Sequence, residues 1–332
     1  MLISLKSVGI LGIGSCLPEK EVTNFDLEKM VDTTNEWIIE RTGIKARRVA
    51  DENIATSDLA TEAAIRALKD ANVSAEEIDL IIVATITPDM AFPSTACMVQ
   101  KNIGAIKAAS FDLEAACSGF LYGVAIGKQF IATGTYHKVL VIGAETMSRI
   151  VDWSDRNTSI LFGDGAGAVV LGETEEGKGV LSTYMGSDGE GGKFLSLPAG
   201  GSRMPSTFET IREGLNYVKM DGSEVFKFAV RIMGKAAEEA IKLSGHQLQD
   251  IDYVVPHQAN IRIIEAAAKR LKMPLDKVHV NLEKYGNMSA ASVPVALDEA
   301  IKEGKIKKDD MVVLVGFGAG LTWGSCVIKW NK

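Results

Sequence analysis

The sequence predicts an α/β protein built twice from one strand–helix unit, each half a mostly parallel sheet covered by helices. Three observations lead there. The run Ile78–Ala84 is short, apolar and rich in β-branched residues, as suits a central parallel strand buried on both faces. From Cys117 to Gly127 no charged residue occurs, and Gly119, Gly123 and Gly127 recur every four positions. A helix apolar all round is a buried one, and a glycine stripe lets a neighbour approach closely. Finally, the two halves match in order. A shift of 173 places Ala63, Ala64, Ala67, Lys69, Ile78 and Asp79 on Ala236, Ala237, Ala240, Lys242, Ile251 and Asp252, and Val139–Gly143 on Val312–Gly316. A shift of 170 aligns Ile131 and Gly134 with Ile301 and Gly304. The halves are expected at 1–173 and 174–332.

In chain order, Met1–Gly14 reads as a first strand, its apolar run too short and glycine-broken for a signal peptide. Gly12 and Gly14 stand at its end, but Leu17 stands where a dinucleotide-binding loop needs its third glycine, and Pro18 follows. Thr34–Gly43 reads as a short amphipathic helix stopped by glycine, and Leu59–Ala71 as a longer one. After Ile78–Ala84, a short strand near Ser110 hands over to the buried helix that begins at Cys117. In the second half the strand Ile251–Val255 precedes His257, and a helix begins near Asn260. At the 170 shift Cys117 falls on Asn287, and both stand just before a helix through the middle of their half.

Composition bounds the function. Of 332 residues, 46% are hydrophobic and 24% charged, as in ordinary soluble proteins. The net charge of −7 argues against a nucleic-acid partner, so an anionic partner requires a local basic patch. The four cysteines (Cys16, Cys97, Cys117, Cys326) show no metal-ligand spacing and fit a reducing cytoplasm better than a disulfide scaffold. His137, His246, His257 and His279 form no metal motif, so no metal is expected. No apolar run reaches the ~18 residues of a membrane span, so no membrane partner is expected.

Cys117 is the candidate nucleophile, because the start of a helix favours a thiolate and strand-to-helix junctions expose nucleophiles. In open α/β sheets, ligands bind at the carboxyl ends of strands. Cys117, His257 and Asn287 are therefore expected to meet between the halves. Such a set supports two chemistries. In a papain-like hydrolase the His ionises the Cys and the Asn orients the His, although the Cys-Gly-Ser-Cys-Trp signature is missing here. Alternatively, His and Asn both donate hydrogen bonds to a thioester enolate, formed as carbon dioxide leaves, that attacks an acylated cysteine.

Ala115–Gly119, Pro256–Asn260 and Gly286–Pro294 resemble the beta-ketoacyl-acyl carrier protein synthase III family. So do Thr34–Gly43, Phe162–Gly167 and Phe317–Gly324, and the resemblance runs from about residue 8 to Trp330. It implies a thiolase-like fold in α-β-α-β-α layers, a cytoplasmic homodimer, and condensation of an acyl-CoA primer with malonyl-acyl carrier protein. It implies no cofactor, coenzyme A thioester being a substrate. The family's catalytic residues fall on Cys117, His257 and Asn287, and its oxyanion-hole amides on Cys117 and Ala319. Its coenzyme A pocket falls on Trp37, Arg41, Arg156, Gly222, Phe226 and Asn260, with adenine between Trp37 and Arg156. The carrier-protein contact falls on Gln258, Ala259, Asn260, Ile261 and Arg262, on a helix that also carries Lys269, Arg270 and Lys272. Phe92 and Phe317 are implied in the primer pocket, Phe92 reaching into the partner subunit's; acetyl-CoA and branched primers such as isobutyryl-CoA both stay open. Three positions depart from the family pattern: Met288 for Thr, Ala319 for Gly, and Ser223 for Asn. Ala319 keeps the N–H that an oxyanion hole needs unless its φ must be positive. Other relatives on this pattern are a thiolase, which requires a second catalytic Cys, and a plant-type polyketide synthase, which is longer; a catalytically dead binding protein would not keep all three polar residues.

Overall fold

The computed structural model describes residues 5–332, so Met1–Ser4 of the N-terminal stretch lie outside the described residues. Strand β1 (Val8–Cys16) leads to a small ribbon, β2 (Glu21–Thr23) with β3 (Ala46–Arg48), that encloses α1 (Asn24–Leu27) and α2 (Asn35–Thr42). Then follow α3 (Thr56–Ala71), β4 (Leu80–Ala84), α4 (Thr95–Ile103), β5 (Ala109–Leu113), α5 (Gly119–Ala132), β6 (Lys138–Thr146) and β7 (Asp164–Glu173). The rest of the chain forms β8 (Gly179–Ser187), β9 (Leu195–Ser196), α6 (Phe208–Arg212), β10 (Lys219–Met220) and the long α7 (Gly222–Leu243). It ends with β11 (Tyr253–Pro256), α8 (Ile261–Arg270), α9 (Leu282–Tyr285), α10 (Ser292–Lys302), β12 (Met311–Gly318) and β13 (Thr322–Lys329).

Two larger sheets result, in the orders β1-β7-β6-β4-β5 and β11-β12-β13-β8. Strand β4 is central and parallel to both neighbours, as its apolar run predicts. The expectation of mostly parallel sheets needs correction, because both are mixed. Only β11–β12 is parallel in the second sheet, and β7 runs antiparallel to β1 and β6 in the first. The reason is connection length: β13 follows β12 after the short turn Ala319–Leu321, whereas parallel neighbours require a crossover of a dozen or more residues.

The core explains the layers. One cluster joins α5 and α10 to the inner faces of both sheets, through residues such as Phe120, Val124, Val141, Val293, Leu297 and Leu314. A second packs α7 and α8 on the outer face of the C-terminal sheet, and a third packs α3 and α4 on that of the N-terminal sheet. The order is helix, sheet, helix, sheet, helix. The glycine stripe of α5 faces the N-terminal sheet. A Cβ on Gly123 would lie 2.7 Å from Val141 Cγ1, and one on Gly119 2.9 Å from the Ala84 Cβ. Gly12 and Gly14 serve packing too, since a Cβ on either would strike the backbone of α3.

The repeat is visible strand by strand. Residues 8–16 of β1 match 179–187 of β8 at a shift of 171, and β6 matches β12 at 173. At 173 the turn Ala116–Ser118 before α5 also matches Ser289–Ala291 before α10, and both turns begin at positive φ, 44° at Ala116 and 45° at Ser289. Cys117 therefore corresponds to Ala290, and the alignment of Cys117 with Asn287 is corrected: Asn287 stands just ahead of its turn. Among the described residues no helix is long and apolar enough to cross a membrane.

Candidate active site

The nucleophile turn is a hinge between strand and helix. Cys117 sits in the single tight turn Ala116–Ser118 between β5 and α5, and is only 7% exposed. The Thr322 hydroxyl lies 2.9 Å from the Ala115 carbonyl and 3.0 Å from that of Ala319, and Ser118 Oγ lies 2.8 Å from Thr322 Oγ1. These bonds clamp the turn to the Gly318–Gly320 segment. Gly318 must be glycine there, because a Cβ would come within 2.5 Å of the Cys117 nitrogen. Ala319 borders the same cavity as Cys117. In this segment the positive φ falls on Gly320 (132°) and not on Ala319, so alanine is tolerated.

His257 follows β11 directly, and its backbone N–H donates to the Val315 carbonyl at 2.7 Å. The ring is 1% exposed and meets Phe317 edge-on, with centroids 5.7 Å apart. Burial pushes its pKa down to about 3, so the imidazole is neutral at physiological pH. Asn287 is held by backbone bonds to Leu161 (2.8 Å) and Gly163 (3.0 Å). Its Oδ1 accepts the Ser289 N–H at 2.8 Å, which leaves the amide NH₂ for the cleft. A papain-like site would need that Oδ1 to orient the histidine. Here it is occupied, and neither ring nitrogen of His257 has a partner.

Cys117, His257 and Asn287 line one cleft of about 1050 Å³. Trp37, Arg41, Gly222, Ser223, Phe226, Asn260, Arg262 and Phe317 border it as well. Arg156 does not border it: its guanidinium lies 5.2 Å from the Trp37 ring and holds the Asp32 carbonyl at 3.3 Å, while Arg41 lies 4.7 Å from the same ring. An adenine between Trp37 and Arg156 therefore requires them to part. Asn260 caps α8, with its Oδ1 accepting the Arg262 N–H at 2.9 Å and its Nδ2 donating to the Arg41 carbonyl at 2.8 Å.

Two expectations change, for Gln258 and for the resting state of Cys117. Gln258 cannot present its side chain to a carrier protein. It is fully buried, donates to the Pro256 and His279 carbonyls, and accepts the Asn281 and Leu282 N–H groups. Ala259, Asn260 and Ile261 are partly exposed, and Arg262 is exposed. Phe317 lies beside His257, whereas Phe92 is 85% exposed and borders neither cavity next to Cys117. The second of these, about 620 Å³, is bordered by Thr85, Ile86, Leu113, Met147, Ile150 and Ser289. Finally, the helix start does not leave a resting thiolate: burial pushes Cys117 up to about 12, against the side chain of Ser289.

Sequence reasoning missed Ser118, Thr322, Ser289 and Glu145. Glu145 is fully buried near the end of β6, accepting from the Thr87 hydroxyl (2.6 Å), the Thr85 hydroxyl (3.1 Å) and the Ile86 N–H (3.1 Å). Its signal was an acid closing an apolar strand. Among the described residues no cluster of His, Cys, Asp and Glu could hold a metal ion.

Comparison with known proteins identifies the family. The family profile 3-Oxoacyl-[acyl-carrier-protein (ACP)] synthase III matches residues 111–189, and its C-terminal profile matches residues 241–330. The beta-ketoacyl-[acyl-carrier-protein] synthase III of Caldanaerobacter subterraneus subsp. tengcongensis is 63% identical over 98% of both chains. That of Clostridioides difficile is 60% identical over 97% of this chain and 98% of its own. The crystal structure of 3-oxoacyl-[acyl-carrier-protein] synthase III from Aquifex aeolicus VF5 superposes with a TM-score of 0.90, at 47% identity over 98% of this chain and all of the other. With this architecture and these matches over nearly its whole length, the chain belongs to the 3-oxoacyl-[acyl-carrier-protein] synthase III family and is an acyltransferase of the thiolase fold.

Proposed function

We propose that the protein starts fatty-acid synthesis by two half-reactions in one cleft. An acyl-CoA primer first transfers its acyl group to Cys117 and releases coenzyme A. Malonyl-acyl carrier protein then loses carbon dioxide, and its carbanion attacks the acyl-Cys117 carbonyl to give 3-oxoacyl-acyl carrier protein. The observation that carries this reading is the hydrogen-bond state of His257 and Asn287. A neutral, unpartnered imidazole and an amide whose NH₂ is free border the cleft that holds the thiol. Both can donate to an enolate oxygen, and neither is arranged to orient the other. The backbone amides of Cys117 and Ala319 would form the oxyanion hole, and the side of the cleft near Trp37, Arg41, Arg156, Gly222, Phe226 and Asn260 would take coenzyme A. No cofactor takes part in these steps.

The remaining parts of the reading rest on physical features. The carrier protein would dock on Ala259, Asn260, Ile261 and Arg262, with Lys269 and Lys272 beyond. A homodimer is supported by the free edge of β5 and the exposed Phe92, since an open sheet edge invites pairing. Phe92 would then reach the partner subunit's primer cavity. The halves 1–173 and 174–332 divide the chemistry, the first carrying the thiol and the second His257 and Asn287. A cytoplasmic location fits the free cysteines.

The test is intact-protein mass spectrometry after incubation with acetyl-CoA or isobutyryl-CoA. One acyl group should appear, peptide mapping should place it on Cys117, and Cys117→Ser should abolish it with the fold retained. An adduct on Cys16, Cys97 or Cys326 instead would refute the reading.

A further inference from the structure

Cys117 borders two cavities. One is the cleft with Trp37 and Arg41, and the other, of about 620 Å³, has largely apolar walls. Ile86, Met147, Ile150, Phe162, Leu195 and Val218 belong to one apolar cluster, and all six border this second cavity. Ile86 is carried by the segment Thr85–Thr87, which follows β4 and belongs to no strand or helix. Beyond a strand end, backbone N–H groups lose their partners in the sheet and must find others. Here they find them in side chains, and the centre of that arrangement is Glu145.

The Glu145 side chain is fully buried, and a single oxygen, Oε2, gathers the segment. It accepts from the Thr85 hydroxyl at 3.1 Å, the Thr87 hydroxyl at 2.6 Å and the Ile86 N–H at 3.1 Å. Each hydroxyl in turn accepts a backbone N–H, Thr85 from Thr87 at 3.1 Å and Thr87 from Thr146 at 2.9 Å. The Thr56 hydroxyl, at the start of α3, holds the Thr87 carbonyl at 2.6 Å. We propose that Glu145 is a positioning residue for primer selectivity: by clasping Thr85, Ile86 and Thr87 it fixes the Ile86 wall of the cavity that receives the acyl chain. Glu145 itself borders neither cavity beside Cys117, so it acts through Ile86 and not on the reacting atoms.

The choice of residue follows from the donors. Because both threonine hydroxyls accept backbone N–H groups, each must aim its own proton at Glu145, and so does the Ile86 N–H. An apolar residue at position 145 would leave three buried donors unmet, which costs more than the bonds themselves contribute. Glutamine fits poorly, because the Ile86 N–H also faces Oε1 at 3.3 Å, where an amide NH₂ would oppose it. The clasp also joins two walls. Thr85 and Glu145 stand at the ends of adjacent parallel strands, β4 and β6, and Met147, two residues after Glu145, borders the same cavity as Ile86. An apolar pocket separates substrates by one methylene about tenfold or more, and it does so only while its wall cannot retreat. With the clasp loosened, the Ile86 wall yields to a longer chain.

This inference rests on Cys117 taking the primer, and the experiment separates the two. The kcat/KM for acylation of Cys117 is measured with acetyl-CoA, isobutyryl-CoA and hexanoyl-CoA by rapid quench and mass spectrometry. Glu145→Gln and Thr87→Val should raise the ratio of hexanoyl-CoA to acetyl-CoA about tenfold over wild type. Thr87→Ser, which keeps the hydroxyl, should restore the wild-type ratio, and Ile86→Ala should move it in the same direction as Thr87→Val. Binding of free coenzyme A should not change, because neither Thr87 nor Glu145 borders the cleft with Trp37 and Arg41. If Glu145→Gln does not fold, Thr87→Val and Thr85→Val decide, since each removes a single hydroxyl and keeps the side-chain shape. Variants that slow all three primers by a common factor, with ratios within about twofold of wild type, would overturn the clasp alone. So would an Ile86→Ala enzyme with the wild-type ratio. Wild type that takes none of the three acyl groups on Cys117 would overturn the proposed function and the clasp together.

Discussion

At the scale of single residues, the site works by what each side chain is prevented from doing. Asn287 cannot orient His257, because its Oδ1 is committed to the Ser289 N–H. His257 cannot rest as a cation, because it is buried without a partner. Both are left as neutral donors, as a developing enolate needs. Asn287→Ala should still form the acyl-Cys117 adduct but condense at least ~100-fold more slowly, and His257→Ala should behave alike. The double variant should be little worse than the slower single one, because both donors act on one oxygen. Separate assays of acylation and of malonyl decarboxylation check this; an Asn287→Ala enzyme that decarboxylates normally but cannot acylate would refute it. Cys117 and His257 were legible in the sequence because each follows a strand and precedes a helix, and Asn287 because it stands just ahead of a buried helix. Glu145 was not, since an acid after Val139–Ala144 reads as an ordinary strand end until its burial is seen. Gln258 misled for the converse reason: neighbouring positions can differ completely in exposure, and only the fold shows that its amide is spent on four backbone groups.

At the scale of elements, α8 shows how one helix serves two surfaces. Ile263, Ile264, Ala267 and Ala268 bury one face against α7 and the sheet. That spacing leaves Arg262, Lys269, Arg270 and Lys272 outside. The run of charges was legible, but its pairing was not. Arg270 is neutralised by Glu238 at 2.5 Å, and Arg262 borders the cleft with its guanidinium 5.2 Å from the Phe226 ring. Among the described residues no ion pair engages Lys269 or Lys272, and neither borders the cleft, so they give the cleaner test of docking. Replacing both by Glu should raise KM for the carrier-bound malonyl substrate several-fold and leave self-acylation unchanged. The effect should shrink with added salt, because exposed charges are screened over ~10 Å at 0.1 M. An equal loss with both substrates would mean that the helix supports the fold and not the docking. The duplicated turns carry a similar lesson. Positive φ at Ala116 and Ser289 is a backbone property with no residue signature, so the 170 shift looked as good as 173 at Cys117 until the elements were placed.

At the scale of the whole molecule, the buried ionisable groups that serve the site also set how stability depends on pH. His257 and His279 are both buried, with pKa values pushed down by burial to about 3 and about 4. Between those values and the ordinary 6.5, the unfolded chain binds protons that the folded one refuses, so stability must fall as pH drops through that window. Glu145 acts in the opposite direction. Its pKa is raised from 4.5 to about 7, so the folded state binds the extra proton in that window and stability falls as pH rises through it. Burial raises the Asp164 carboxyl as well, but the two histidine shifts together exceed that of Glu145, and acidification below 6.5 should destabilise the protein on balance. His279 allows a clean measurement because it borders neither cavity beside Cys117. Its backbone N–H donates to Val254 and its carbonyl accepts from Gln258 whatever its side chain. Its ring meets the Tyr253 hydroxyl only at 3.4 Å through Nδ1, and Nε2 has no partner. His279→Phe should keep these backbone bonds and lose stability less steeply on acidification, the difference growing to at most about 3 kcal/mol as pH falls from 6.5 to 4. Urea unfolding at pH 7.5, 6, 5 and 4 reads that difference as a slope, so a constant offset from repacking the ring does not enter. Parallel loss of stability in wild type and variant would mean that the imidazole is protonated in the folded state, and that the interior under β11 admits water.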